Sequence, residues 1–225
     1  GGRLWINLTR RFSGLPAGIL RVAAEHNLGE LVGVTVTGGA RCIATNGIHY
    51  LDLATVLIGA SPVSVTADLS TQNINPRHES LAFYEGTVTY NYPNGERFAC
   101  TFLNGSAVTE NVRFYWRDAE GEMAPNGDFV LRLRDKVSIA EYPAVTRTGY
   151  AQEETFRGNL WLTEAGDTGM AALYKMVAAG TKVSDTGSRT AEDLLAALHA
   201  SELGQRVSLP VDPKVIDIHK HWSIS

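Results

Sequence analysis

The sequence has few of the features that define several large classes of protein. Its two cysteines, Cys42 and Cys100, are isolated and lack the CxxC spacing of a zinc or redox site. A cysteine-based metal site would need more soft ligands, and two reduced thiols in a cytosolic protein are favoured over a disulfide. No apolar run approaches the ~18 residues that a membrane span needs, and the first residues lack the pattern of a signal peptide. The composition therefore predicts a cytoplasmic protein without a membrane partner.

The charge and the motifs of the sequence exclude further partners and kinds of site. The formal net charge is -4 at pH 7, the pI is about 5.9 and no basic stripe is present, so we expect no nucleic-acid partner. No GxGxxG follows a strand, and neither a phosphate-binding GxxxxGKS/T loop nor a GxSxG elbow occurs. His219 and His221 share one side of a possible strand, "VIDIHKHW", but no nearby Asp, Glu or Cys cluster completes a metal site. We therefore expect no bound metal and interpret these histidines as part of an ordinary tail.

The first third of the chain alternates strand and helix patterns. The run "RLWINLTRRF" reads as a strand that ends at Ser13 and Gly14, and Pro16 then suits the first turn of a helix that Gly29 would cap. "ELVGVTVTGGA" is β-branched and alternating, which predicts a strand. A helix from about Asn46 to Ile58 and the strand "VSVTADLS" follow.

The rest of the chain is a run of strands followed by two helices. Asn94-Gly95 predicts the turn of a hairpin within "EGTVTYNYPNGERFACTFLNG". "NVRFYWRDAEGE" and "DFVLRLRDKVSIAEY" continue the meander, with turns expected at Glu120-Gly121 and Asn126-Gly127. Helices are expected at 168–180 and 190–204, the second with a capping box at Thr190 and Asp193 and an end at Gly204. With about seven strands, the order indicates one α+β domain over residues 1–225, a large, mostly antiparallel open sheet with helices on one face.

The uncovered face of such a sheet bears on association. Helices can cover only one face, and large apolar side chains are frequent in the strands: Val88, Tyr90, Tyr92, Phe98, Cys100, Phe102, Phe114, Trp116, Phe129, Leu131 and Leu133. A half-apolar second face would favour a homo-oligomer through the open sheet. The alternative is a second face polar enough to stay in water, through Thr87, Thr89, Asn91, Arg113, Arg132 and Arg134.

The segment "ATNGIHYLDLATVLIG", residues 44–59, carries polar residues inside an otherwise apolar helix. A helix that is apolar all round is usually buried, yet Asn46, His49 and Asp52 recur at three-residue spacing on one face. Burying an unpaired imidazole or carboxylate is costly, so the stripe is either satisfied internally or lines a cavity that holds a ligand. His49 is a candidate general acid/base, and Asn46 could cap the backbone or donate to a ligand hydroxyl.

Two adjacent arginines are further candidates. Arg10 and Arg11 close the first predicted strand, and strand alternation would send them to opposite faces. At most one of them could then meet a shared site, and the alternative is a solvated pair.

Several segments resemble the Gfo/Idh/MocA oxidoreductase family. "GGARCIATNGIHYLDLATVLIG" is similar to the family's helix, in which a Gly-rich approach leads to G-I-H-Y-x-D-L. The upstream "INLTRRFSGLPAGILRVAAEHNLGELVGVTV" resembles the strand, helix and strand that follow the cofactor domain. "YEGTVTYNYPNGERFACTF" resembles the sheet hairpin and "AEDLLAALHASELGQRVSLP" the C-terminal helix and tail. The resemblance covers nearly the whole chain in the right order.

The resemblance implies a domain of a larger enzyme. Family members pair an N-terminal Rossmann domain, which binds NAD or NADP, with a C-terminal α+β domain, and this chain resembles only the second. We therefore expect the substrate-binding and oligomerisation domain of an NAD(P)-dependent oxidoreductase acting on a sugar, polyol or related hydroxy compound. Its partners would be the missing Rossmann domain and further copies of itself, and the chain alone would be inactive and bind no cofactor tightly. A stand-alone, non-catalytic binding or assembly module is the alternative.

The resemblance also implies roles for single residues. His49 matches the family's catalytic acid/base, which takes the proton from the substrate hydroxyl while hydride leaves to the nicotinamide. Many members carry an Asp four residues earlier, where this sequence has Thr45, and Asn46 instead matches an N-x-x-H variant. Asp52 resembles the family's helix Asp, as an anchor or orienter within the catalytic group. Asn7, Arg10, Arg11 and Thr45 are the implied substrate-binding residues.

Overall fold

The computed structural model describes residues 6, 8–70, 82–141, 152–160, 169–180 and 186–217. The helices are α1 (Thr9–Phe12), α2 (Leu15–Glu25), α3 (Ile48–Ile58), α4 (Lys136–Glu141), α5 (Gly169–Ala178) and α6 (Thr186–Leu203), with a π-helical turn at Ile43–Gly47 and a 3-10 turn at Pro213–Val215. The strands are β1 (Leu31–Gly38), β2 (Ser64–Ser70), β3 (Glu85–Asn91), β4 (Arg97–Phe102), β5 (Asn111–Trp116), β6 (Ala119–Met123), β7 (Asp128–Arg134), β8 (Gln152–Asn159) and β9 (Val207–Ser208).

These strands form one open sheet in the order β8-β7-β6-β5-β1-β4-β3-β2-β9. Neighbours are antiparallel except β1 and β4, which run parallel with Val36 opposite Cys100. Helices α3 and α6 pack against one face of the sheet, α3 on β1 and β4 and α6 on β2. The predicted fold class, a mostly antiparallel open sheet with helices on one face, is confirmed.

The apolar strand residues all turn toward the covered face. Each of those named above is buried except Leu133, which is half-buried, and the core cluster joins them to α2, α3 and α6. The other face carries mainly threonines and charged side chains, so the prediction of a half-apolar second face is wrong. Arg134, expected on the polar face in water, is instead buried and pairs with Asp118 at 2.8 Å.

Helix α2 begins where the sequence predicted and ends at Glu25, three residues before the Leu28 end that a cap at Gly29 implied. Pro16 lies in the first turn, and its missing N–H would have no helical partner there. At the other end Asn27 is the first residue in the left-handed conformation, with φ 54°, and Gly29 follows at φ 75°. The N–H groups of Asn27 and Leu28 donate to the carbonyls of Ala24 and Ala23, which is the Schellman arrangement that ends many helices.

Three features of the meander differ from the predictions. Glu120-Gly121 lies inside β6 rather than in a turn, because Gly121 is a packing glycine: an added Cβ would lie 2.6 Å from the Phe129 ring. The link between β5 and β6 is at residues 117–118. Residues 136–141, expected to continue as strand, form α4, and β8 and β9 add to the seven strands expected. The turns at Asn94-Gly95 and Asn126-Gly127 are confirmed.

The last helix is longer at its start than predicted. Helix α6 begins at Thr186, so the capping box expected at Thr190 and Asp193 is wrong. Instead, the Thr190 hydroxyl donates to Asp52 at 3.2 Å, and Asp193 accepts from Arg189 Nε at 3.0 Å. Burial outweighs the nearby Arg189 charge and raises the pKa of Asp193 to about 6. Gly204 follows the helix at φ 63°, as expected.

Three further observations concern expected absences. Cys42 and Cys100 are both buried and form no disulfide, as predicted. No helix in the described ranges is both long and apolar enough to cross a membrane. Within those ranges, no three His, Cys, Asp or Glu side chains are grouped so that they could hold a metal ion; His219 and His221 lie outside them.

Candidate active site

The short helix α1 replaces the end of the predicted first strand. Residues 1–5 and 7 lie outside the described part of the chain, and with them the candidate Asn7. Because Arg10 and Arg11 lie on a helix, their side chains do not alternate between two faces. Both contact α3, so the prediction that at most one of them could reach a shared site is wrong.

A π-helical turn carries the chain into α3. Cys42 is extended and the turn follows at Ile43–Gly47. Asn46 Oδ1 accepts from the Cys42 backbone N–H at 3.3 Å and from Thr45 Oγ1 at 3.4 Å. The amide oxygen of Asn46 therefore binds the backbone N–H just before the π-helical turn, and neither that turn nor α3 has a side-chain N-cap. Single π-helical turns of this kind occur frequently at functional sites.

Asp52 is an internally satisfied carboxylate. Its side chain is fully buried and Arg11 binds it in two places, Nε to Oδ2 at 2.8 Å and Nη2 to Oδ1. Thr190 from α6 donates a third hydrogen bond to Oδ1. One carboxylate thus joins α1, α3 and α6. With its acceptor sites engaged in this way, Asp52 has the contacts of an anchor between helices; its role in the reaction stays a prediction.

His49 lies on the same helix as Asp52, but its hydrogen bonding is incomplete. Its ring is half-buried, and Nδ1 is buried without a hydrogen-bond partner among the described residues. Burial lowers the pKa of His49, the Arg10 charge lowers it further and Asp52 acts in the opposite direction. At neutral pH the imidazole is therefore uncharged and able to accept a proton.

Arg10 lies against an aromatic side chain rather than a carboxylate. Its guanidinium carbon is 4.0 Å from the centroid of the Tyr50 ring, a cation–π contact. Tyr50 donates its hydroxyl to Glu110 Oε1 at 3.1 Å, and Arg41 Nε lies 3.2 Å from the other oxygen of Glu110. Burial, with Glu110 nearby, raises the pKa of Tyr50 despite the Arg10 charge. Burial alone would raise the pKa of Glu110, but hydrogen bonds and Arg41 lower it.

Six of the seven site residues predicted from the sequence therefore lie on α1, α3 or the π-helical turn that leads into α3. They are Arg10, Arg11, Thr45, Asn46, His49 and Asp52. Sequence reasoning missed Tyr50, Glu110 and Thr190. Tyr50 was counted as one more apolar position of the helix. Glu110 and Thr190 lie 60 and 138 residues from their partners, Tyr50 and Asp52, so no local spacing could reveal those contacts.

A separate cleft lies near the other end of α3. Its volume is about 240 Å³, and its wall includes Leu57, Ile58, Leu31 and Trp116. None of the residues of the His49 cluster lines it. Glu30 and Glu96 also line this cleft. We place the candidate site at the His49 cluster instead, because a buried nitrogen of that imidazole has no hydrogen-bond partner among the described residues.

Comparison with solved structures places this fold among known proteins. A levoglucosan dehydrogenase in complex with NADH and levoglucosan is 14% identical, with a TM-score of 0.58 over 90% of this chain and 65% of that chain. An aldose-aldose oxidoreductase from Caulobacter crescentus, complexed with glycerol, is 17% identical, with a TM-score of 0.61 over 90% and 62%. An NAD-binding protein from Listeria innocua is 12% identical, with a TM-score of 0.62 over 89% and 65%. No protein-family model and no curated protein sequence matches the chain.

These likenesses concern the fold. At identities of 12% to 17% they show shared architecture alone, and the chain spans just under two thirds of each of these proteins. The structural neighbours are oxidoreductases of the Gfo/Idh/MocA type. The resemblance predicted from "GIHYLDL" and its flanking segments is therefore confirmed at the level of structure: the chain has the α+β fold of the Gfo/Idh/MocA-type oxidoreductases.

Proposed function

We propose that this chain is the substrate-binding domain of an NAD(P)-dependent oxidoreductase that acts on a sugar, polyol or related hydroxy compound. The observation that carries the proposal is His49, a half-buried imidazole with an unpartnered buried nitrogen and a lowered pKa. A general base that works near neutral pH needs this uncharged form. The neighbours in complex with NADH and levoglucosan, or with glycerol, support the reaction class.

In this proposal His49 takes the proton of the substrate hydroxyl that is oxidised. Thr45 cannot ionise, and Asp52 is held by Arg11 and Thr190, so neither of them relays that proton. His49 holds the proton until it is returned to solvent. Asp52 acts indirectly, because its contacts with α1 and α6 fix the helix that carries the imidazole.

The dinucleotide fits this chain only at its reacting end. His49, with its unpartnered nitrogen, offers a place for the substrate beside a nicotinamide, which when bound accepts the hydride. The described residues contain no glycine-rich strand-to-helix turn of the kind that cradles a pyrophosphate. Another domain would therefore hold most of the cofactor.

Replacing His49 tests the proposal in the complete protein. We expect His49→Ala to lower turnover by about 10² or more, the usual scale for loss of a general acid/base. The matched control is His199→Gln, at a half-buried histidine on α6, which should leave turnover within about twofold. Equal turnover of His49→Ala and wild type, with the same melting temperature, would remove His49 from the chemistry.

The alternative is a stand-alone assembly or binding module that keeps the same fold and has no redox role. The coding region upstream discriminates the two. A strand followed by GxGxxG there, or in a separate partner subunit, supports the dehydrogenase; its absence from both supports the module.

A further inference from the structure

The charges around the candidate site do not balance. Three guanidinium groups meet there, those of Arg10, Arg11 and Arg41. Two carboxylates compensate two of these positive charges: Asp52 pairs with Arg11, and Glu110 pairs with Arg41. Arg10 has no carboxylate partner among the described residues, so the cluster keeps one uncompensated positive charge in a chain whose net charge is -4.

The position of Arg10 distinguishes it from other unpaired arginines. Among the described residues, Arg97 and Arg206 also lack a carboxylate partner, but both are exposed, where water solvates the charge. Arg10 is half-buried and held against the Tyr50 ring, and the Tyr50–Glu110 hydrogen bond fixes that ring. A guanidinium that is partly withdrawn from water gains most from an anion that can accept hydrogen bonds from its fork of N–H groups.

We propose that Arg10 binds an anionic group of the substrate, so that the enzyme acts on a hydroxy compound carrying a carboxylate or a phosphate. This inference rests on the proposed function, because it places the anion on the molecule whose hydroxyl faces His49. Arg10 lies one residue before Arg11, which is fixed to the helix of His49 through Asp52. The anion and the reacting hydroxyl would therefore be held by neighbouring elements at a set separation.

The test compares paired probes on the complete protein with NAD and with NADP. The pairs are D-glucose with D-glucuronate, D-galactose with D-galacturonate, and D-glucose with D-glucose 6-phosphate; the phosphate pair separates the two anion chemistries. Wild type should favour the anionic member by at least about tenfold in kcat/KM. Arg10→Gln should lower kcat/KM for that member by about 10- to 100-fold, chiefly through KM, and lower it by a much smaller factor for the neutral member. Arg10→Lys should recover part of the loss, and Arg206→Gln is the matched control.

The pH profile supplies a second readout. The groups that act on His49 are Arg10 and Asp52, the latter paired with Arg11. An anion bound to Arg10 offsets its charge, so the pKa of His49 in the substrate complex, read from kcat, should exceed the value in the free enzyme, read from kcat/KM. This gap should vanish in Arg10→Gln.

The outcomes separate this inference from the proposed function. Equal losses for neutral and anionic members, or a raised KM for the nicotinamide cofactor alone, would overturn the role of Arg10 while leaving the dehydrogenase intact. If wild type oxidised no probe, the proposed function would fail, and calorimetry would then test the inference by itself. Wild type should bind glucuronate at least tenfold more tightly than glucose, and Arg10→Gln should lack this preference. Equal affinity for both sugars would contradict it.

Discussion

The Arg11–Asp52 pair stabilises the site at the scale of single residues. The exposed fractions of the two side chains are 9% and 0%, so both charges have left bulk water. Desolvation of such a pair cancels much of its Coulomb attraction, and its net contribution to stability is small. The position of the pair matters more, because Thr190 adds α6 to the contact and three helices converge on one carboxylate.

Replacing one member of this ion pair should destabilise the protein more than the loss of both members would suggest. We expect Arg11→Met or Asp52→Asn alone to lower the free energy of unfolding by about 3–5 kcal/mol, since each leaves a buried group without its partner. The double variant should cost clearly less than the sum of the two.

Urea unfolding of the four proteins measures this coupling. Arg21→Ala is the control, because its pair with Glu25 is more than half exposed on both sides and should matter by less than about 1 kcal/mol. Additive single and double effects would show that Arg11 and Asp52 do not depend on each other.

The connection from β1 to α3 shows how an element places the site. Gly38 and Gly39 end the strand where residues 106–110 run close beside it, with Gly39 N–H donating to the Val108 carbonyl at 2.8 Å. A Cβ on Gly39 would lie 2.3 Å from the Ser106 carbonyl oxygen, and one on Gly38 would lie 2.9 Å from Glu110 Cα. This close approach brings Glu110 within reach of Tyr50 and so fixes the ring that carries Arg10.

A single methyl group should disturb this approach. We expect Gly39→Ala to lower the free energy of unfolding by about 1–3 kcal/mol, because backbone atoms must move to admit the Cβ. Gly105→Ala is the matched control, since its Cβ would meet no atom within 4 Å. Thermal or urea unfolding checks both, and equal stability of the two variants would contradict the packing argument.

How far the sequence predicts this structure differs between elements. Helix α3, strands β1 to β4 and the Asn94-Gly95 turn follow from periodicity and turn chemistry, which act over a few residues. The prediction for Glu120-Gly121 was wrong because a glycine that makes room for the Phe129 ring inside a strand cannot be distinguished in the sequence from a turn glycine. Arg10 and Arg11 were misplaced because a four-residue helix is too short to show a period. The contacts of Glu110 and Thr190 depend on the tertiary fold and have no local signal.

At the scale of the whole molecule, the open face of the sheet carries threonines in its middle strands and charged side chains on β5, β6 and β7. Two cross-strand rows run over it. One row is Asn111, Thr37, Thr101 and Thr87, and the other is Arg113, Thr35, Ala99, Thr89 and Thr66. The threonines of β1, β3 and β4 leave the middle of this face flat, so that a second sheet could approach closely there, although the described residues do not form the apolar patch first expected.

Association through this face remains a prediction. We expect the wild-type chain to form a dimer or larger assembly in light scattering and Thr101→Arg, in the middle of the sheet, to shift it toward monomer. The reason is that a long charged side chain prevents close packing of two flat faces. Gln205→Arg, at an exposed position after α6, is the control, and a mass unchanged by Thr101→Arg would place any interface elsewhere.

The position of β1 also governs the order in which the molecule can form. The antiparallel runs β2–β4 and β5–β8 meet only through β1, which pairs with both β4 and β5. A strand at residues 31–38 must therefore wait for partners at 97–102 and 111–116, and contacts so distant along the chain slow folding. Because α3 packs on β1 and β4 as well as on other helices, the helix of His49 lacks part of its support until these strands pair. During synthesis, then, α1 and α3 are made before the strand β4 on which the packing of α3 depends.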